Sequence, residues 1–117
     1  MSTFNDDGTM IEDRTQFDLT HEISEAEQKK PWQSGLFAKT LLKKHDLRIV
    51  LILMENAARM KEHHADGTIS VHVLHGHLRF TVQGQTYDLL PGNIFALDAS
   101  IRHDVESVGD SAYLLTI

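Results

Sequence analysis

The sequence predicts an all-β domain, an antiparallel β-barrel, on three observations. Short runs rich in Val, Ile, Leu and Phe recur at fairly regular spacing from Leu36 to Ile117. Turn-forming pairs such as Asp66-Gly67, Gln83-Gly84 and Pro91-Gly92 separate many of them. No strand-helix-strand alternation is present, and about eight short strands joined by such turns suit an antiparallel sandwich or barrel.

The elements follow in chain order. Residues 1–35 are expected to form an N-terminal arm with a short helix, packed on the barrel or on a partner subunit, and residues 36–117 the barrel. The arm begins acidic and polar, without a repeated apolar face up to about Arg14, and reads as frayed. Ser24–Lys30 favours helix, with Ser24 as N-cap and Glu27 completing a capping box; Pro31 then stops it. Strand character begins at Leu36–Leu42, turns at His45-Asp46 and resumes at Arg48–Met54, whose IVLILM core is β-branched and too short for a helix. Thr68–Leu74, Leu78–Val82, Thr86–Leu89, Ile94–Leu97, Asp104–Val108 and Ala112–Ile117 complete the set.

Composition narrows the function classes. The 117 residues suit one domain with one core, and 41% hydrophobic residues suffice for a globule. With no Cys, disulfides, thiolate ligands and cysteine catalysis are excluded; this is compatible with the cytoplasm, the expected compartment. The start, MSTFNDDGTMIEDR, has neither a basic region nor an apolar one and is not read as a signal peptide. The longest apolar run falls far short of the roughly 20 residues that cross a bilayer, so no membrane partner is expected. A net charge of -6 disfavours nucleic acid, which calls for a basic footprint. A domain this small buries only about 65% of its unfolded surface. Strand edges are then valuable places to add contacts, and a homodimer is expected.

The candidate chemistry lies in histidines near the turns. Imidazoles and carboxylates converging from separate turns can bind a divalent metal through lone pairs about 2.0 to 2.2 Å away. Glu62, His63, His64 and His103 are the candidates. If the first segment is extended, residues 62 and 64 share a face and His63 points the other way. His64 and His103 then meet inside the barrel, within about 5 Å, with Glu62 as third ligand. Alternatively the two imidazoles bond to each other or to the pocket walls and touch no metal.

Other residues are weighed beside these. His75 and His77 share a parity that His72 does not, and surface or rim positions near a bulge at Gly76 are the plainer reading. Trp32, between Pro31 and Gly35, suggests an aromatic lid packed on a barrel end, with core packing the plainer reading against direct contact with a ligand; Met54 and Met60 read as core or pocket fillers. Arg59, Lys61 and Arg102 are candidate rim cations. No serine or threonine sits in a nucleophile elbow, and no glycine loop is shaped to cradle phosphate.

From about Leu36 to Ile117 the chain resembles the cupin superfamily of small β-barrels, which carry a double-stranded β-helix or jelly roll. The first family motif, G-x5-H-x-H-x3,4-E-x6-G, corresponds to Asn56 through Gly76. Glu62 stands for the first His, His64 matches the second, Ile69 replaces the Glu, and Gly76 closes the motif. The second motif, G-x5-P-x-G-x2-H-x3-N, is matched in spacing by Gly92, Asp98 in place of Pro, Ser100 in place of Gly, His103 for the His and Ser107 in place of Asn. The stretches KPWQSG, LRIVLILM and HADGTISVHVL resemble single-domain members without an assigned activity. The resemblance implies a metal set of three His and one Glu, of which only His64 and His103 remain at matching places. Glu62 can substitute as a ligand, adjacent His63 can swing in, and apolar Ile69 cannot coordinate.

Two functions follow as expectations. The first is a protein binding a small polar or anionic molecule in the barrel, with a degenerate metal site and with His64, His103, Ile69, Met54 and Trp32 around the ligand. The second is a metal-dependent enzyme, a dioxygenase or isomerase, holding Fe, Mn, Ni or Zn through Glu62, His64 and His103. Family membership does not choose between them.

Overall fold

The computed structural model describes residues 2–4 and 10–117, with residues 2–4, 10–12 and 62 described by backbone alone. Eleven strands and one α-helix run along these residues. Strands β1 (Ser2–Phe4) and β2 (Met10–Glu12) pair as an antiparallel hairpin, in the arm that the sequence leaves frayed.

Helix α1 spans Leu19–Glu27, starting earlier than the expected Ser24. The Asp18 side chain, not that of Ser24, accepts from the His21 backbone N–H at 3.2 Å and satisfies one of the free donors of the first turn. Ile23 and Ala26, three apart and so on one helix face, pack on the sheet below and draw the helix into register there. After Glu27 the chain tightens through Lys29 N–H to the Ala26 carbonyl and reaches the cis Lys30–Pro31 bond.

Nine further strands follow a turn at Gln33–Gly35. They are β3 (Leu36–Lys43), β4 (Arg48–Met54), β5 (Arg59–His63), β6 (Ile69–His75), β7 (Leu78–Val82), β8 (Gln85–Leu89), β9 (Ile94–Leu97), β10 (His103–Ser107) and β11 (Ser111–Thr116). The expected strands are all present with small shifts at their ends, and β5 is the addition. Its sequence, RMKEH, carries one apolar residue, so its extended form comes from pairing with β10 and not from an apolar rhythm.

The barrel wall is built from two antiparallel sheets, ordered β3-β4-β11-β6-β9 and β5-β10-β7-β8. Their inner faces share one core, to which β4 gives Val50, Ile52 and Met54, β6 gives Ile69, Val71 and Val73, and β7 and β10 give Leu78, Phe80 and Val105. Alternation explains the inward set, since residues two apart share a face.

Strand β4 is buried on both sides. Leu51 and Leu53 face outward, where they meet Ala26, Trp32 and Ala112 in a second cluster under α1. Each of these fully covered leucines stabilises the fold by on the order of 2 kcal/mol. That double burial is why IVLILM reads as an unbroken apolar run. Two clasps hold the helical segment down: Lys39 Nζ lies 2.7 Å from Glu22 Oε2, and Lys30 Nζ lies 3.1 Å from Asp110 Oδ2. Asp110 also accepts from the Asn56 backbone N–H at 2.9 Å, and so joins the β4–β5 turn to the turn before β11.

Candidate functional site

A cavity of about 230 Å³ opens between the sheets at one end of the core. Apolar side chains of Met60, Ile69, Val71, Phe80, Val105 and Leu115 form most of its wall. The polar side chains at it are His63, His64, His103, Arg48, Asp66 and Tyr113.

The pairing of β5 with β10 decides which histidine enters. His103 stands opposite His63 and Val105 stands opposite Met60, so a two-residue step on β10 meets a three-residue step on β5. A bulge of this kind inserts one residue and inverts the alternation beyond it. Met60 and His63 therefore both reach the cavity, although a regular strand would turn them to opposite faces. This overturns the expected parity. His63, which simple alternation turns away, meets His103, with ring centroids 4.1 Å apart in an edge-on arrangement. His64 follows the end of β5, is exposed, and also lines the cavity. Glu62 lies on β5 and its side chain is outside the described residues.

His103 is held from several sides. It is only 4% exposed, its ring stacks on Phe80 at 5.1 Å and 17°, and its Nδ1 lies 3.0 Å from the Ile101 carbonyl. His63 repeats the last feature, with Nδ1 3.1 Å from the Lys61 carbonyl. A carbonyl oxygen only accepts, so Nδ1 carries a proton in both rings. In the neutral tautomers Nε2 keeps its lone pair. Burial pushes the His103 pKa below the ordinary imidazole value; the Ile101 carbonyl opposes this, while His63 and His64 add to it.

The remaining expected residues divide. Ile69, 3% exposed, lines the cavity as anticipated. Met54 is fully buried in the core but is not among the cavity-lining residues. Trp32 is no lid on the pocket: it packs on the outer face of the sheet with Leu51 and Leu53, donates Nε1–H to the Ala26 carbonyl at 3.0 Å and tilts against Phe37. Arg59 makes a two-point pair with Asp104 and lowers that carboxyl's pKa. His77 bonds Asp88 at 2.8 Å, His75 is exposed and His72 is half-buried, as surface and rim readings would have them.

Ser107 is buried at the turn before β11, donating to the Gly109 carbonyl and bonding Ser111. It braces that turn and is not part of the cavity lining. Tyr113 was not singled out in the sequence, although its two-residue spacing from Leu115 puts both on the inner face. Its hydroxyl is buried without a hydrogen-bond partner among the described residues, and burial raises its pKa. Arg48 and Asp66 were also missed, for they sit at strand ends where alternation says little.

Protein-held metals of the expected kind take three or four ligands. Among the described residues no group of three or more His, Cys, Asp or Glu is placed to hold one. The imidazole pair supplies two nitrogens, and Ile69 gives the same cavity an apolar wall.

Comparison with known proteins gives a consistent result. The family model described as Cupin domain matches residues 50–117. A conserved protein of unknown function from Streptococcus pyogenes is similar at 25% identity and TM-score 0.71, over 99% of this chain and 93% of its own. A cupin superfamily protein from Desulfitobacterium hafniense matches at 19% identity and TM-score 0.70, over 78% of this chain and 84% of that one. The Cnp3 cupin domain of Schizosaccharomyces pombe matches at 14% identity and TM-score 0.74, over 99% of this chain and 82% of that one. No curated protein matches. Among the described residues no helix is long and apolar enough to cross a membrane.

Proposed function

Since the chain belongs to the cupin domain family, we propose that its cavity binds a small polar or anionic molecule. The observation that carries this reading is the buried His103 imidazole, locked by Phe80 and the Ile101 carbonyl beside His63 in a mostly apolar cavity. Such a pocket, concave and apolar with a few converging polar atoms, is the usual form of a ligand site. At about 230 Å³ it suits a molecule smaller than a drug. The test is a screen of small polar metabolites by amide and imidazole NMR shifts. Binding should perturb His63, His103 and Phe80 together, and shifts confined to the outer surface would count against it.

A second reading, a metal-dependent dioxygenase or isomerase, draws on the same two rings. Their Nδ1 atoms are tied to backbone carbonyls, the arrangement that orients histidine ligands toward a metal. It needs Glu62 or His64 to complete the set. Metal analysis of tag-free protein after Fe, Mn, Ni and Zn have each been offered decides it, and less than stoichiometric binding of all four removes it.

We also propose a homodimer. Strands β3 and β9 bound the larger sheet, and Ile94 on β9 is 66% exposed, leaving an edge that a second subunit could cover. Light scattering at the monomer mass would overturn this.

A further inference from the structure

We infer that the ligand is an uncharged molecule presenting hydroxyl hydrogen-bond donors on an apolar body, read by the Nε2 lone pairs of His63 and His103. The inference rests on the cavity being a binding site and narrows what that site takes.

The argument is one of hydrogen-bond polarity. Each Nδ1 is committed as a donor to a backbone carbonyl, at 3.1 Å for His63 and 3.0 Å for His103. The remaining ring nitrogen of each neutral imidazole can only accept. Neither Nε2 has a hydrogen-bond partner among the described residues. The two rings stand 4.1 Å apart at 63° and both line the cavity, so their remaining nitrogens are the acceptors they offer to it. A ligand must bring donors to them.

The charge of the ligand follows from the same surroundings. A carboxylate or phosphate would set its own lone pairs against those of the two nitrogens, acceptor facing acceptor. An ammonium would bring donors, but it would lose hydration against Ile69, Val71, Phe80 and Val105, which is costly for an ion. Among the described residues, the one cation and one anion at the cavity, Arg48 and Asp66, are exposed and of opposite sign, so they give no net preference there. A hydroxyl avoids both costs, since it donates to nitrogen and carries no charge.

An isosteric panel tests this at about pH 8, well above the ordinary imidazole value. The probes are cyclohexane-1,2-diol, cyclohexanecarboxylate and cyclohexylamine in its ammonium form, titrated into the full chain and followed by NMR. The diol should bind about tenfold tighter than either ion. His63→Phe, which keeps a flat ring and removes the acceptor, should erase most of that preference; His103→Phe should act alike if it folds. Equal or tighter binding of the carboxylate or the ammonium would overturn the hydroxyl assignment while leaving the cavity as a binding site. A diol preference that persists in His63→Phe would also overturn it, because the acceptors would not be reading the ligand. If no probe moves the cavity resonances at concentrations of about 50 mM, far above any specific Kd, the binding-site reading falls together with the inference.

Discussion

His103 lies nearly flat on Phe80, with ring centroids 5.1 Å apart and planes 17° from parallel. One face of the imidazole is thereby shielded from water, and burial is the largest cause of its lowered pKa.

That shielding predicts an acid-sensitive stability. On unfolding, His103 regains its ordinary pKa of 6.5, above its value in the fold. As pH falls through and below that value, the unfolded chain takes up the proton first, so folding stability declines; above it both states are neutral and the slope vanishes. Urea denaturation between about pH 8 and 5 should show the decline, and His103→Phe should flatten it. The lowered carboxyls of Asp104 and Asp110 act in a lower window, at and below their ordinary 3.8, where their protonation weakens the fold separately. An unchanged slope in the variant would mean that other groups set the pH dependence.

Tyr113→Phe should stabilise the protein. The hydroxyl is buried without a partner, and such a group costs about 1–3 kcal/mol. Removing it while keeping the ring should raise the urea-derived stability by on the order of 1 kcal/mol. A loss of that size would show that the hydroxyl is bonded in solution.

Gly76→Ala should be severely destabilising. The residue holds φ at +89°, and a Cβ there would press on the Asp110 carbonyl and come within 2.6 Å of Ser111 Cα. Both obstacles are backbone or next to it, so neither can rotate away. A loss of about 3 kcal/mol or more is expected by thermal denaturation. A variant with near-native Tm would mean that the β6–β7 turn can relax.

Ile69→Glu should create affinity for Mn2+, Fe2+ or Ni2+. The side chain lines the cavity with His63 and His103, so a carboxylate there joins two imidazoles. Calorimetry should show binding at least about tenfold tighter than in the natural protein. Without metal the variant should be less stable by on the order of 2 kcal/mol, because an unpaired carboxylate fits poorly against an apolar wall. Equal metal affinity would mean that position 69 cannot reach the imidazole pair.

The strands legible in the sequence were those with an apolar rhythm or an unbroken apolar run. Strand β5 has neither, and its register bulge against β10 is a relation between two strands that no single segment encodes. Motif spacing placed His103 and Ile69 at the pocket, while simple alternation turned His63 away from the cavity it lines. The helix start was misplaced for a related reason. Ser24 and Glu27 form a capping pattern on paper, but Asp18 caps first and the apolar pair Ile23 and Ala26 fixes the helix against the sheet. For Trp32 core packing is the plainer reading and it is what the fold shows, but its Pro and Gly neighbours mark a turn without saying which side of a sheet the ring covers.

Outward-facing Leu51 and Leu53 bear on how the protein can be cut down. The family match starts at residue 50, but the roof over these leucines comes from α1, Trp32 and Phe37, all upstream of it. A recombinant fragment trimmed to residues 50–117 would retain the cavity-facing wall and lose β3, leaving β4 as a bare margin. Its greasy outer surface and open backbone would invite clumping during expression. A truncation starting at Asp18 keeps both the helix cap and that roof, and is the shorter form to make for solution work.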